Sequence, residues 1–191
     1  MKWTEVVIQD HVVFRRGLDV LDGMVKKLEN GERIETADAG TILKFLRLFV
    51  VENKQTFEKN VLFPALLRAG VQENPIRQML FEHSEQRTLV SAVDEALRLK
   101  KGTEFVRSAR GLSALLRNHM DREEDVLRSA EAVSSVQDNH AEAEFMKQRK
   151  PSEDDAAICR LEGKYARKHQ PPLTGASRDF SRGRGWARPL G

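Results

Sequence analysis

His119 and Glu123 stand four residues apart in "LLRNHMDREEDVL", so on a helix both side chains point the same way and can aim at one centre. The same spacing joins His83 to Arg87 and Gln55 to Lys59, and His11 sits within the apolar pattern of "QDHVVFRRGLDVL". Each of these polar residues interrupts an otherwise apolar stripe. A neutral imidazole nitrogen and a carboxylate oxygen brought together inside a helical bundle satisfy a divalent ion that water no longer reaches, so the chemistry on offer is metal ligation. One histidine on such a stripe is more often a hydrogen-bonded core residue than a ligand. Three on three stripes at one depth read as a shared internal layer. His140 and His169 lie on no stripe and are expected in solvent, and Cys159, also off the stripes, has no base set beside it that would make a nucleophile.

The elements that must position these residues follow from periodicity. His11, Phe14, Leu18, Leu21, Val25 and Leu28 recur at steps of three and four, the mark of one buried helix face, and the pattern stops at Asn30-Gly31. A second stripe, entered after Thr36 or Asp38, carries Phe45, Leu48, Glu52, Gln55, Lys59, Leu62 and Leu66 and ends at Gly70. A third, opened by Pro75 in its first turn, carries Ile76, Leu80, His83, Arg87, Val90, Asp94 and Leu97 and closes at Gly102. The fourth, capped by Thr103, aligns Phe105, Leu112, Leu115, His119, Glu123, Val126 and Ala130. Four helices with short links must alternate in direction. The fold class is therefore all-α, an antiparallel up-down-up-down four-helix bundle over 1–133. Over 134–170 a linker is expected, with a possible short C-terminal helix bearing Ile158, Leu161 and Tyr165 on one side; 171–191 reads as a disordered Arg/Gly/Pro-rich tail.

Charge supports that division. The tail holds Arg178, Arg182, Arg184 and Arg188 against Asp179, which accounts for the whole formal net charge of +3 and leaves the rest neutral. A nucleic-acid-binding bundle is excluded on that ground, because the basic footprint such a domain carries is missing. The tail remains free to contact an anionic partner. No apolar run approaches the roughly 18 residues of a membrane span. The opening "MKWTEVVIQDH" lacks the pattern of a secretory signal, and one cysteine fits a reducing compartment, so a cytoplasmic location is expected.

The segments "QDHVVFRRGLDVL", "FEKNVLFPALLRAG", "NPIRQMLFEHSEQR" and "LLRNHMDREEDVL" resemble, in order, the four helical motifs of the hemerythrin-like HHE cation-binding family, over roughly Ile8 to Ala130. The resemblance implies an antiparallel four-helix bundle holding non-haem iron, typically as a di-iron centre. It implies ligand positions at His11, His83, His119 and Glu123. Members bind oxygen, respond to iron, oxygen or nitric oxide, or act on peroxide or nitrosative damage. In helix two, members carry a histidine and, four residues on, a glutamate that bridges the two metals; those places read here as Gln55 and Lys59.

A protonated lysine is no ligand and repels a nearby dication, so a full di-iron site is not expected. Two outcomes remain open. His83, His119 and Glu123, with or without His11, hold a single iron; or the layer is metal-free, with Lys59 and Arg87 pairing with Glu123 and Glu52. The substitutions lean towards the second, and Lys59→Glu with Gln55→His is expected to restore metal binding. Glu58, one residue before the bridging place, restores ligation only if helix two is wound differently there. Three functions fit: a protein binding at most one metal or a small diatomic ligand, in sensing or handling; a metal-free interaction module using the tail; and, disfavoured by the lost ligands, a peroxide- or nitric-oxide-handling di-iron enzyme.

Overall fold

The computed structural model describes residues 3–133 and 155–166; the expectations for the tail, for His140 and for His169 lie outside them. Four long helical rods account for the first range. Helix α1 is Trp3–Glu29. The second rod runs without a break through α2 (Thr36–Phe45), a π-helical segment (Leu46–Lys54), α3 (Gln55–Phe57), a second π-helical segment (Glu58–Leu62) and α4 (Phe63–Arg68). Helices α5 (Glu73–Arg98) and α6 (Gly102–Val133) complete an antiparallel up-down-up-down bundle. A fifth helix, α7 (Asp155–Tyr165), lies against α1 and α2. Among the described residues there is no strand, and no helix is long and apolar enough to cross a membrane.

The turns are built where the sequence supplies the right residue. Gly31 and Gly70 adopt φ of 75° and 88°, which a Cβ would oppose, and the backbone bonds Glu32 N–H to Lys27 O and Val71 N–H to Leu66 O close the helix ends. The third turn differs from expectation. Lys100, not Gly102, takes the left-handed conformation, with φ of 55°, and Gly102 instead opens α6.

The second rod departs most from a regular count, through two π-helical segments, Leu46–Lys54 and Glu58–Leu62, and Pro64 bears on the second of them. Without an N–H it removes one bond from the helical ladder, and its ring crowds the carbonyl four residues back. The π-helical winding of Glu58–Leu62 lies just ahead of it, and each wide turn takes in one extra residue. Inward-facing positions therefore slip relative to a 3.6-residue stripe. Glu58 is 1 % exposed, whereas Lys59 and Glu52 face solvent. The expected inward placement of Lys59 and Glu52 is corrected accordingly.

Two apolar clusters flank the polar layer. One holds Phe14, Leu18, Leu21, Phe45, Leu46, Val90 and Leu112, together with Ile158, Leu161 and Tyr165 from α7. The other holds Val7, Phe57, Leu62, Phe63, Ile76, Met79, Val126 and Leu127. His11, Glu58, His83, His119 and Glu123 are buried where the two clusters meet, at least one on each rod. Helix α7 approaches α1 closely because Gly23 has no side chain: a Cβ there would stand 2.0 Å from the Tyr165 carbonyl oxygen.

Candidate metal centre

Three side chains from three rods converge. Glu58, His83 and His119 each offer a ligand atom, all within 4.8 Å of one another, and all three are buried. His83 Nε2 lies 2.7 Å from Glu58 Oε2 and 3.3 Å from His119 Nε2, and His119 Nε2 lies 3.7 Å from the same carboxylate oxygen. Phe63 stacks on the His83 ring at 5.9 Å and 17°, which holds its plane. Two imidazole nitrogens and a carboxylate oxygen thus face a common point.

His119 is oriented from behind. Its Nδ1 lies 2.8 Å from Glu82 Oε2, and Arg122 holds the other Glu82 oxygen. Burial pushes the Glu82 carboxyl up, but His119 and Arg122 outweigh it and hold the group below its usual range, so it is ionised and can only accept. Nδ1 therefore carries the proton, and Nε2 presents a lone pair to the centre. Burial also disfavours charge on the imidazoles. His83 is pushed down to about 4, by desolvation first and by the Lys54 charge second, and His119 moves in the same direction.

The other half of the layer is ion-paired. His11 faces two carboxylates, Nδ1 at 2.9 Å from Glu124 Oε1 and Nε2 at 3.1 Å from Glu123 Oε2, and Arg15 holds Glu124 at 2.8 Å. Lys54 reaches inward between Glu58 and Glu123 and ion-pairs with both. Burial pushes Glu123 up, yet Lys54 and His11 win, and its carboxyl is held far below the ordinary range. Polar contacts therefore run unbroken across the bundle, from Arg15 through Glu124, His11, Glu123, Lys54, Glu58, His83, His119 and Glu82 to Arg122.

This arrangement changes the helix-two pairing. The four-residue pair facing the layer is Lys54 with Glu58, one residue earlier than Gln55 with Lys59. Gln55 is buried, but both ends of its amide are committed: it donates to Gln86 Oε1 and accepts from Arg87, each at 2.7 Å. Arg87 accordingly binds Gln55 and Ser84, while the cation on Glu123 is Lys54. The helix-two carboxylate that faces the layer is Glu58, one residue before the position to which the resemblance pointed. Of the expected ligand positions, His83 and His119 meet in the three-residue group, whereas His11 and Glu123 meet each other beside it. Glu82, Glu124 and Lys54 were not singled out in the sequence. For Glu82 and Glu124 the available signal was an acidic residue immediately next to a stripe residue; for Lys54 it was the i,i+4 spacing to Glu58.

The donor chemistry fits a cation. Glu58 Oε2 and Glu123 Oε1 are buried and receive no hydrogen bond, although the opposite oxygen of each is occupied by Lys54. Buried polar atoms in folded proteins are seldom left so, and a cation held between Glu58 Oε2 and the His83 nitrogen 2.7 Å away would satisfy both lone pairs.

A four-helix bundle whose facing helices aim imidazole and carboxylate groups inward defines the cation-binding class of helical bundles. The chain belongs to the hemerythrin HHE cation-binding domain family, whose model matches residues 4–130. No curated protein and no solved structure matches it significantly.

Proposed function

We propose that this domain holds a single ferrous ion on Glu58, His83 and His119 and uses it to sense or carry a small diatomic ligand such as oxygen or nitric oxide. Two imidazoles and one carboxylate are a donor set suited to non-haem ferrous iron with positions left open. The observation that carries this reading is the Glu58 Oε2 oxygen, buried and without a hydrogen bond beside the Nε2 atoms of His83 and His119. Bound there, iron would supply an electron-rich centre able to take up a diatomic molecule. The chain's own part is positional: Glu82 fixes the His119 tautomer, Phe63 holds the His83 ring, and burial keeps both imidazoles neutral. None of the three ligands is more than 3 % exposed, so an ion held there would be shielded from bulk water.

A metal-free interaction module is the second reading, and the Lys54 ion pairs favour it, since they already satisfy one oxygen of each buried carboxylate. Anaerobic loading with ferrous iron, followed by metal analysis and exposure to nitric oxide, separates the two. The iron reading expects a single iron per chain and a nitrosyl spectrum, both abolished in His119→Ala and Glu58→Gln. An iron-free parent, or variants that keep the iron, would overturn it.

A further inference from the structure

Lys54 has no part in the ligand set just described, yet it sits at the centre of the layer. Its side chain is 10 % exposed, it lies one turn before Glu58, and its ammonium joins Glu58 on the second rod to Glu123 on α6. It takes Glu58 Oε1 and Glu123 Oε2, leaving Glu58 Oε2 to face the two imidazoles and Glu123 Oε1 without a hydrogen bond. The ammonium therefore does not compete for the oxygen that faces His83 and His119.

The donors beside it form a second set of the same chemical kind. His11, Glu123 and the shared carboxylate of Glu58 are an imidazole and two carboxylates, the same donor types as in the first set but gathered around the Lys54 nitrogen instead of around an open point. Charge decides what this half can accept. With His11 neutral, as a ligand must be, two buried carboxylates with one ammonium leave one negative charge, and a single dication turns that to one positive. A second dication beside the ammonium would raise it to three positive charges in a layer removed from water, where like charges repel strongly and desolvation is not recovered. Glu82 and Glu124 cannot offset this, since Arg122 and Arg15 already balance them.

We propose that the Lys54 ammonium is a built-in cation that fills the second half of the donor layer, limits the domain to one metal ion per chain and holds Glu58 and Glu123 in place before that ion arrives. The inference rests on the single-ion reading above and deepens it: Lys54 sets the stoichiometry of the site.

The test compares the full-length parent with Lys54→His, each checked for helical content, loaded anaerobically with ferrous iron and assayed by elemental analysis and X-ray absorption. The expected result is one iron in the parent and two in Lys54→His, with a metal–metal vector of roughly 3.5–4 Å only in the variant. One iron in both proteins overturns the role of Lys54 and leaves the single-ion reading standing. Two irons in the parent also overturn it. An empty parent with a loaded variant supports exclusion by Lys54 while sinking the iron reading of the parent, and two empty proteins overturn both. Should Lys54→His fail to fold, Lys54→Gln removes the charge and keeps an oxygen donor. Uptake above one ion there supports the proposal, and uptake no greater than the parent's overturns it.

Discussion

Glu82 accepts a hydrogen bond from His119 Nδ1 at 2.8 Å, and this bond determines which nitrogen of the ring faces the centre. Replacing Glu82 with glutamine leaves a group that can donate as well as accept, so the tautomer is no longer dictated. Ferrous or cobaltous affinity in Glu82→Gln should fall by about 10- to 100-fold, as expected when a ligating histidine loses its supporting carboxylate. Titration with the metal, with fold checked by circular dichroism, reads this directly; unchanged affinity would remove Glu82 from the account.

The two neighbouring lysines of the second rod should behave oppositely. Lys59 is exposed, and Lys59→Glu should change stability by no more than about 0.5 kcal/mol. Lys54→Met strips the cation from two buried carboxylates and should cost the metal-free protein roughly 3–5 kcal/mol in urea unfolding. Lys59→Glu combined with Gln55→His, the pair that the sequence pointed to, should add no iron, because Lys59 is exposed and the buried Gln55 is committed to Gln86 and Arg87.

Acid should weaken the metal-free fold through His83. The unfolded chain protonates this ring near its ordinary value of 6.5, whereas the folded chain does so only at about 4. Between those values the unfolded state binds more protons, so stability falls as pH falls from 6.5 towards 4 and is fully present above 6.5. The span amounts to at most about 3 kcal/mol. Denaturant midpoints across this window should slope less steeply in His83→Gln than in the parent.

Gly23→Ala should push α7 off α1. A methyl placed 2.0 Å from the Tyr165 carbonyl oxygen meets backbone rather than a side chain that can rotate away. A loss of roughly 1–3 kcal/mol is expected. Faster amide exchange in 155–165 than in α5 would locate the effect.

The bundle was legible because its rods bury long apolar stripes, and the depth of His11, His83, His119 and Glu123 followed from counting along them. What misled was helix two, where a regular 3.6-residue count brings Lys59 inward. The wide turns of Leu46–Lys54 and Glu58–Leu62 each take in extra residues and carry Glu58 in and Lys59 out, and of the two only the second has a nearby proline, Pro64, to signal it. On α5, burial reaches Met79, Glu82 and Gln86, residues beside the expected stripe, so the stripe alone did not disclose the support behind His119.

Ile158, Leu161 and Tyr165 share one apolar cluster with Leu18, Leu21 and Phe45, yet the family match ends at residue 130. The matched motif and the packed apolar core are thus not the same length of chain. A fragment cut to the motif would keep every polar residue of the centre and expose the flank of α1 that α7 covers, so its melting would report a missing wall instead of a weaker metal site.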